Sequence, residues 1–540
     1  MRVDRLHLPD FRNLRDFVID FDEGSARTVL IGRNGVGKTN ILEALTTIFR
    51  QLDLRAKPTF AYRIEFSCNG YRVDIGATPA ATEVEGQGPL VTTYKVAPIT
   101  SEQEPAFETM TETGFYRFHK ENRVLPKHVF GYYSGTSPRL RDLFVEHTER
   151  YRDELIAGEE DTIRSLFLAE DWHSQFVLLA FYAKHDPEIR AFLLEQLGIE
   201  ALESVLFVLQ QPHWYKADPP SEVRERGDER YWWAAGTVKR LLSELHQVAL
   251  APMRTRERVP VGIKRHSTLE RRYCYVRSAD DLTRLAADID PKELFKRLES
   301  MVLSDLLHEV RIRFKLRGSE TALSFIDLSE GEQQLLTVLG LLRFTNQDES
   351  LFLLDEPDTH LNPAWCLDYL EILSRYGGGL TRSQIIMTTH SPLVFAGLDA
   401  NEVIILQRRD EASRIEAEHP SSSPKGMGFS AILTSEFFGL RSSLDRASLA
   451  LLDEKRQLGG IEERTTDQEA RLRELNAEIS KLDFTQTVND PLYSDFVRAM
   501  ADIEQEHPEL SEAILTPEAL EARRKRAAEA LRRARERRNA

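Results

Sequence analysis

Gly32-Arg33-Asn34-Gly35-Val36-Gly37-Lys38-Thr39 decides how this chain is read. The stretch fits G-x-x-x-x-G-K-[ST]. An apolar run, Thr28-Val-Leu-Ile31, precedes it, and a helically patterned segment from Asn40 to Phe49 follows. Strand, glycine loop and helix in that order bring successive backbone N–H groups and a helix N-terminus around one anion. Gly32 to Asn40 are therefore the expected phosphate-contacting run. Lys38 should reach the β/γ-phosphates, and the Thr39 hydroxyl should meet a Mg2+ ion. An ordinary glycine-rich turn also satisfies the spacing, but it does not supply the flanking strand and helix.

Further along, Leu351-Phe-Leu-Leu-Asp355-Glu356 is an apolar run ending in two carboxylates. A buried parallel strand would deliver Asp355 to its C-terminal edge, where it can hold a metal, usually through water. Glu356 is then placed to polarise a water as general base. Leu328-Ser329-Glu330-Gly331-Glu332-Gln333-Gln334 lies upstream, and on its own Ser-x-Gly-Glu is only a helix N-cap signal. Thr388-Thr389-His390-Ser391-Pro392 follows another apolar run, Gln384-Ile-Ile-Met387. A lone histidine there is more often structural than catalytic.

The order of these four segments resembles ABC/SMC-type ATPases, with P-loop, signature, Walker B and switch histidine in sequence. The resemblance implies that Ser329, Gly331 and Glu332 form a signature covering a γ-phosphate held by the P-loop of another head. It also implies that His390 contacts that phosphate, and that Lys38, Glu356 and His390 carry hydrolysis. Pro357-Asp-Thr-His-Leu-Asn362 resembles a D-loop, with Asn362 where many members carry Asp. No glutamine marks a Q-loop; Tyr132-Tyr-Ser-Gly-Thr-Ser-Pro-Arg139 occupies roughly its place.

The opening Asp10-Phe-Arg-Asn-Leu14 is similar to RecF, Rad50 and SMC heads, which would put Arg12 and Asn13 near the nucleotide; a surface turn explains them nearly as well. The span between Thr39 and Leu328 is too short for a full SMC arm, and it lacks the heptads and zinc hook of Rad50. Val129-Phe-Gly-Tyr-Tyr-Ser-Gly135, Glu436-Phe-Phe-Gly-Leu-Arg-Ser-Ser-Leu-Asp445, Leu452-Asp-Glu-Lys-Arg456 and Asp490-Pro-Leu-Tyr493 with Phe496 resemble the PtuA ATPases of Septu-type and retron-associated antiphage systems. That resemblance implies an ATP- and Mg2+-dependent ATPase that oligomerises and partners an HNH nuclease of the PtuB kind, with DNA reached through the complex. No TOPRIM arrangement or HNH-like cluster is found in the sequence itself. The alternative is a RecF-like repair ATPase that binds DNA directly; a third reading is a scaffold whose nucleotide only fixes an oligomer.

The expected fold is α/β, an ABC/SMC-type head with a helical insertion and a helical, partly coiled-coil C-terminal region. Residues 1–139 form the N-terminal lobe, 140–309 a mainly helical insertion, 310–410 the C-terminal lobe, and 411–540 the helical end. Phe17 to Phe21, Tyr62 to Phe66 and Tyr71 to Ile75 alternate as strands do, and Val310 to Leu316 resumes strand patterning. Residues 78–114 read as loop. Leu472, Leu475, Ile479 and Leu482 fit a short coiled coil or an amphipathic helix packed on its own domain.

Composition is that of a soluble protein, with 41% hydrophobic and 29% charged residues among 540. No apolar stretch is long enough to span a bilayer, so no membrane partner is expected. The first residues lack a signal-peptide core. Cys68, Cys274 and Cys366 lie far apart, which fits a reducing cytoplasm. A net charge of −16 argues against general coating of nucleic acid. Basic residues gather at Arg254 to Arg272 and in the last 20 residues, which hold nine Lys/Arg against three Glu. That tail is read as a DNA-contacting helix, a partner-docking helix or a solvated one.

Overall fold

The computed structural model describes residues 1–80, 89–99, 106–135, 137–158, 164–260, 266–345, 348–377, 379, 382–409, 414–461, 464–482, 525 and 527–533. The chain divides into two compact units, Met1–Gly439 and Leu440–Ala540. The first is organised around a seven-stranded sheet. Its order is Arg414–Glu418, Val403–Arg409, Arg27–Gly32, Ser383–Thr388, Ser350–Asp355, His128–Tyr133 and Leu166–Leu168. Every pairing is parallel except that of Arg414–Glu418.

A parallel sheet covered on both faces must be apolar at successive positions, and these strands are. Leu30, Leu351, Leu353 and Ile386 enter one core with the helix Lys38–Leu54 and the first antiparallel sheet. Val29, Ile31, Phe352, Leu354, Ile385 and Met387 enter a second core with the insertion helices. The unbroken Leu351-Phe-Leu-Leu run is thus split between two cores by the pleat. Each such side chain stabilises by roughly 1.5–3 kcal/mol on burial. The Ser383–Thr388 strand lies between the P-loop strand and the Ser350–Asp355 strand, so three C-terminal edges meet at one place.

The first antiparallel sheet runs Leu14–Asp20, Arg2–Phe11, Tyr62–Cys68, Tyr71–Pro79, Leu90–Pro98, Glu108–Met110. Part of the stretch read as loop, 78–114, is therefore sheet. Only Tyr94, Val96 and Ala97 of Leu90–Pro98 are buried, so its apolar alternation is too faint to show in the sequence.

The insertion also differs from its mainly helical reading. It holds a second antiparallel sheet, ordered Met253–Pro260, His266–Val276, Ile199–Gln210, Leu307–Leu316, Ala322–Ser324. Within the basic stretch from Arg254 to Arg272, the described residues lie in the first two strands of that sheet, which pair antiparallel. Its arginines face carboxylates: Arg272 lies 3.1 Å from Glu270, and Arg271 lies 2.8 Å from Glu257. Leu166–Leu168, inside the span assigned to the insertion, belongs to the head sheet. So does Arg414–Glu418, which moves the boundary drawn at 411 to the far side of Gly439.

In the second unit, Arg446–Gly459 and Thr466–Ser480 start at side-chain caps, Asp445 and Thr465. Arg471 forks onto Glu454 at 2.8 and 2.9 Å, and Leu475 is fully buried. Of the two readings of the leucine spacing, this is a helix packed on its own neighbour. Asp490 to Phe496 and most of the basic tail lie outside the described residues. Among the described residues, no helix is long and apolar enough to cross a membrane.

Candidate functional site

The P-loop strand ends at Gly32, whose backbone φ is +149°; a Cβ there would lie 2.5 Å from the Leu406 carbonyl oxygen. Gly37, at φ +89°, is the N-cap of the helix Lys38–Leu54. A Cβ on it would meet Asn13 and Leu14 at 2.9 Å, so only glycine fits. The helix start has no side-chain cap and no acidic residue in its first turn. Its free N–H groups and positive dipole end are left to an external anion. Arg33, Asn34 and Gly35 are exposed at the loop tip and Val36 is buried beneath it.

Asn13 braces the loop, donating from Nδ2 to the Gly35 carbonyl at 2.8 Å and accepting from Asn40 at 2.6 Å. Arg408 donates to the same Gly35 carbonyl at 3.3 Å. Arg12 pairs with Glu43, one helical turn beyond Thr39, and Arg139 bonds both Glu43 (2.7 Å) and Asn40 (2.8 Å). The segment standing where a Q-loop would fall thus reaches the P-loop helix through an arginine. Asn13 is drawn into the loop; Arg12 is drawn to Glu43.

Lys38 is buried and donates to the Gly32 carbonyl at 2.9 Å. Burial lowers its pKa, while Glu356 and Asp355 pull the other way. Among the described residues it has no salt bridge, and a desolvated ammonium in that state is chemically suited to an anion. Asp355 is buried, with its carboxyl pushed up by burial and held down in part by the hydroxyls of Thr388 and Thr39. Thr39 Oγ1 lies 2.9 Å from Asp355 Oδ2, joining residues 316 positions apart in sequence.

The chain turns sharply after Asp355. Glu356 has φ +50°, a left-handed backbone that non-glycine residues rarely adopt and that tends to collect at functional sites. Its N–H is held by the Thr388 carbonyl and by Thr388 Oγ1, both at 3.1 Å. Its carboxylate is half-exposed and lies 3.2 Å from His390 Nε2. Burial and Lys38 lower the His390 pKa, opposed by Glu356 and Asp355. Lys38, Thr39, Asp355, Glu356 and His390 are therefore gathered at one pocket edge.

Ser329 is exposed, and its hydroxyl and N–H both go to the Glu332 carboxylate at 2.7 Å. Gly331 is buried against the D-loop, where a Cβ would stand 2.5 Å from the His360 carbonyl. No hydrogen bond or ion pair among the described residues joins Ser329, Gly331 or Glu332 to the P-loop. The sequence reading assigned no role to Thr388, Asp358 or Thr389. Thr388 and Thr389 stand beside the quoted histidine, but a threonine pair carries no signal until the strands are paired.

A glycine cradle at an uncapped helix start, a buried lysine and a pair between the helix residue Thr39 and the strand-end Asp355 define a P-loop head. Two family models match it: "AAA ATPase domain" over residues 1–88, and "AAA domain, putative AbiEii toxin, Type IV TA system" over residues 220–396. The first range supplies Lys38 and Thr39; the second supplies Asp355, Glu356 and His390.

Within that class, part of the chain is similar to Septu protein PtuA. It is 32% identical to Septu protein PtuA of Bacillus mycoides (strain KBAB4) over 162 residues, covering 28% of this chain and 22% of that protein. It is 20% identical to Retron Ec83 probable ATPase of Escherichia coli over 431 residues, covering 75% and 72%. To DNA replication and repair protein RecF of Carboxydothermus hydrogenoformans (strain ATCC BAA-161 / DSM 6008 / Z-2901) it is 34% identical over 85 residues, covering 14% and 24%. The chain thus spans less than a quarter of the PtuA and RecF relatives it matches.

Proposed function

We propose that this chain binds and hydrolyses ATP with Mg2+ in the cytoplasm, as the regulatory subunit of a two-component antiphage complex whose second member is an HNH nuclease. The hydrolysis reading rests on the Thr39–Asp355 pair beside the Glu356–His390 pair. The defence reading rests on likeness to Septu protein PtuA and to Retron Ec83 probable ATPase.

The residues fit the ligand. Backbone N–H groups and Lys38 would take the β- and γ-phosphates. Thr39 and Asp355 would hold the metal, directly and through water. Among the described residues no group of three His, Cys, Asp or Glu converges, so the remaining metal oxygens would come from phosphate and water, as Mg2+ favours. When bound, Mg2+ supplies neutralising charge to the phosphates. Glu356 would take the proton of the attacking water, and His390 would meet the γ-phosphate from the next strand.

The exposed Ser329 and its helix start would cover the γ-phosphate of a second head. Head engagement, and higher oligomers built on it, would then gate hydrolysis. The test is co-expression with a small HNH protein and size-exclusion chromatography, with and without ATP. Stable co-elution and hydrolysis by the mixture support the reading; hydrolysis with no HNH complex overturns its partner half. RecF likeness over 85 residues favours a second reading, in which the chain binds DNA directly. Tight DNA binding by the chain alone, weakening steeply with salt, would select it.

A further inference from the structure

Within the D-loop, behind the switch histidine, lies a buried carboxylate with no part in the mechanism above. Asp358 is only 7% exposed. Its Oδ2 accepts from the Thr389 hydroxyl at 2.7 Å, while its Oδ1 has no hydrogen-bond partner among the described residues. Burial without full pairing pushes this carboxyl up to about 6. Burying a half-paired carboxyl is costly, so a purely structural position would be better filled by an apolar or amide side chain.

The same Thr389 oxygen does two things. It donates to Asp358 and accepts from the Ser391 N–H at 2.9 Å, bridging the backbone on either side of His390. Thr389 is completely buried, so the bridge is shielded from water. His390, between the bridged residues, points outward to Glu356 at 3.2 Å. The backbone of Asp358 is held by the rest of the D-loop and the helix that follows it. Cys366 Sγ lies 4.0 Å from the Asp358 carbonyl, and the Leu361 N–H donates to that carbonyl at 3.1 Å. Two residues further on, the His360 carbonyl packs on Gly331 of the signature helix.

We propose that Asp358 is a positioning residue for hydrolysis: it fixes the Thr389–Ser391 turn that presents His390, and so ties that histidine to the D-loop and the signature helix behind it. This rests on the ATPase reading above. A movement of the D-loop when a second head docks would shift Asp358, and through Thr389 it would rotate His390 relative to Glu356.

The test uses the full chain and compares Asp358→Ala, Asp358→Asn, Thr389→Val and Thr389→Ser with the parent. Steady-state ATP hydrolysis gives kcat and KM, a fluorescent ATP analogue gives Kd, and thermal melts report folding. Asp358→Ala and Thr389→Val should each lower kcat by about tenfold or more, since misaligned catalytic groups lose that much. Kd should change by less than about threefold, because Lys38 and the P-loop are untouched. Asp358→Asn and Thr389→Ser keep the acceptor and the hydroxyl and should retain most of the parent rate. The double variant Asp358→Ala/Thr389→Val should be no slower than the slower single, as for two members of one relay. Unchanged kcat in both disrupted singles overturns the proposal, as does a fully additive double or a kcat loss that tracks the melting temperature in the conservative variants too. A parent that binds no nucleotide and hydrolyses none overturns the ATPase reading, and the relay with it. A parent that hydrolyses while these variants match it overturns the relay alone.

Discussion

The P-loop edge and the signature segment are built in opposite ways. At the P-loop edge, residues from three strands close on one another within a single chain. Thr39 meets Asp355, Glu356 meets His390, and Lys38 is buried among them. At the signature, Ser329 is exposed and its hydroxyl bonds Glu332, three residues away. Low dielectric and fixed partners make the first region a prepared phosphate cradle. The second is a capped helix start whose serine can exchange Glu332 for a phosphate at little cost. One half of the site is finished by the fold; on the proposed reading, a second molecule would complete the other.

Lys38→Ala should break the finished half outright. Losing a buried cationic donor should weaken nucleotide binding on the order of 100-fold, read by fluorescent-nucleotide titration of the dilute chain. Glu356→Gln separates binding from chemistry: hydrolysis should fall about 100-fold or more with Kd unchanged. Light scattering with ATP should then find the engaged dimer accumulating. A parent-like rate in this variant removes Glu356 as the base.

Ser329→Ala sharpens the contrast, because nucleotide binding by the isolated chain should stay within about twofold while hydrolysis falls about tenfold and loses its dependence on protein concentration. If binding falls instead, Ser329 serves its own chain's pocket. Gly331→Ala tests the seam between the halves. Its methyl would press on the His360 carbonyl, and overpacking of that kind costs about 1–3 kcal/mol, seen as a lower melting temperature.

The smallest effect is expected away from both regions. Burial alone would raise the Asp348 carboxyl, but His128, Lys127 at 2.7 Å and Lys292 at 2.6 Å outweigh it and hold it well below the carboxylate range. A depressed folded pKa gives stability that is present above the unfolded value near 3.9 and is lost as pH falls through the folded one. Asp348→Asn should therefore melt lower than the parent at neutral pH, with the gap closing in acid. A gap that widens in acid would show the sign to be wrong.

How much could be read beforehand follows from how local each signal is. Lys38 and Thr39 were legible from the glycine spacing, and Asp355, Glu356 and His390 because they follow apolar runs; both signals are visible in one dimension. Asn13 and Arg12 were legible only as candidates, and the structure separates them: one bonds Gly35, the other Glu43. Arg139 on Glu43, Arg408 on Gly35 and Asp358 on Thr389 were not legible, since each joins strands or helices far apart in the chain. The sheet of the insertion was hidden by charge. Arg271-Arg-Tyr-Cys-Tyr-Val276 alternates correctly, but the face buried at Cys274 and Val276 also carries the half-buried Arg272, whose charge is matched by Glu270.

Composition and pattern alone thus set the class of the head, the phosphate loop and the order of its chemical segments, because glycine spacing and apolar runs are local constraints on the backbone. Tertiary structure alone decided which strand lies between the P-loop and Asp355, which hydroxyl meets which carboxylate, and that Ser329 faces solvent. Those are matters of pairing between distant segments, and only the buried cores on the two faces of the sheet specify that pairing.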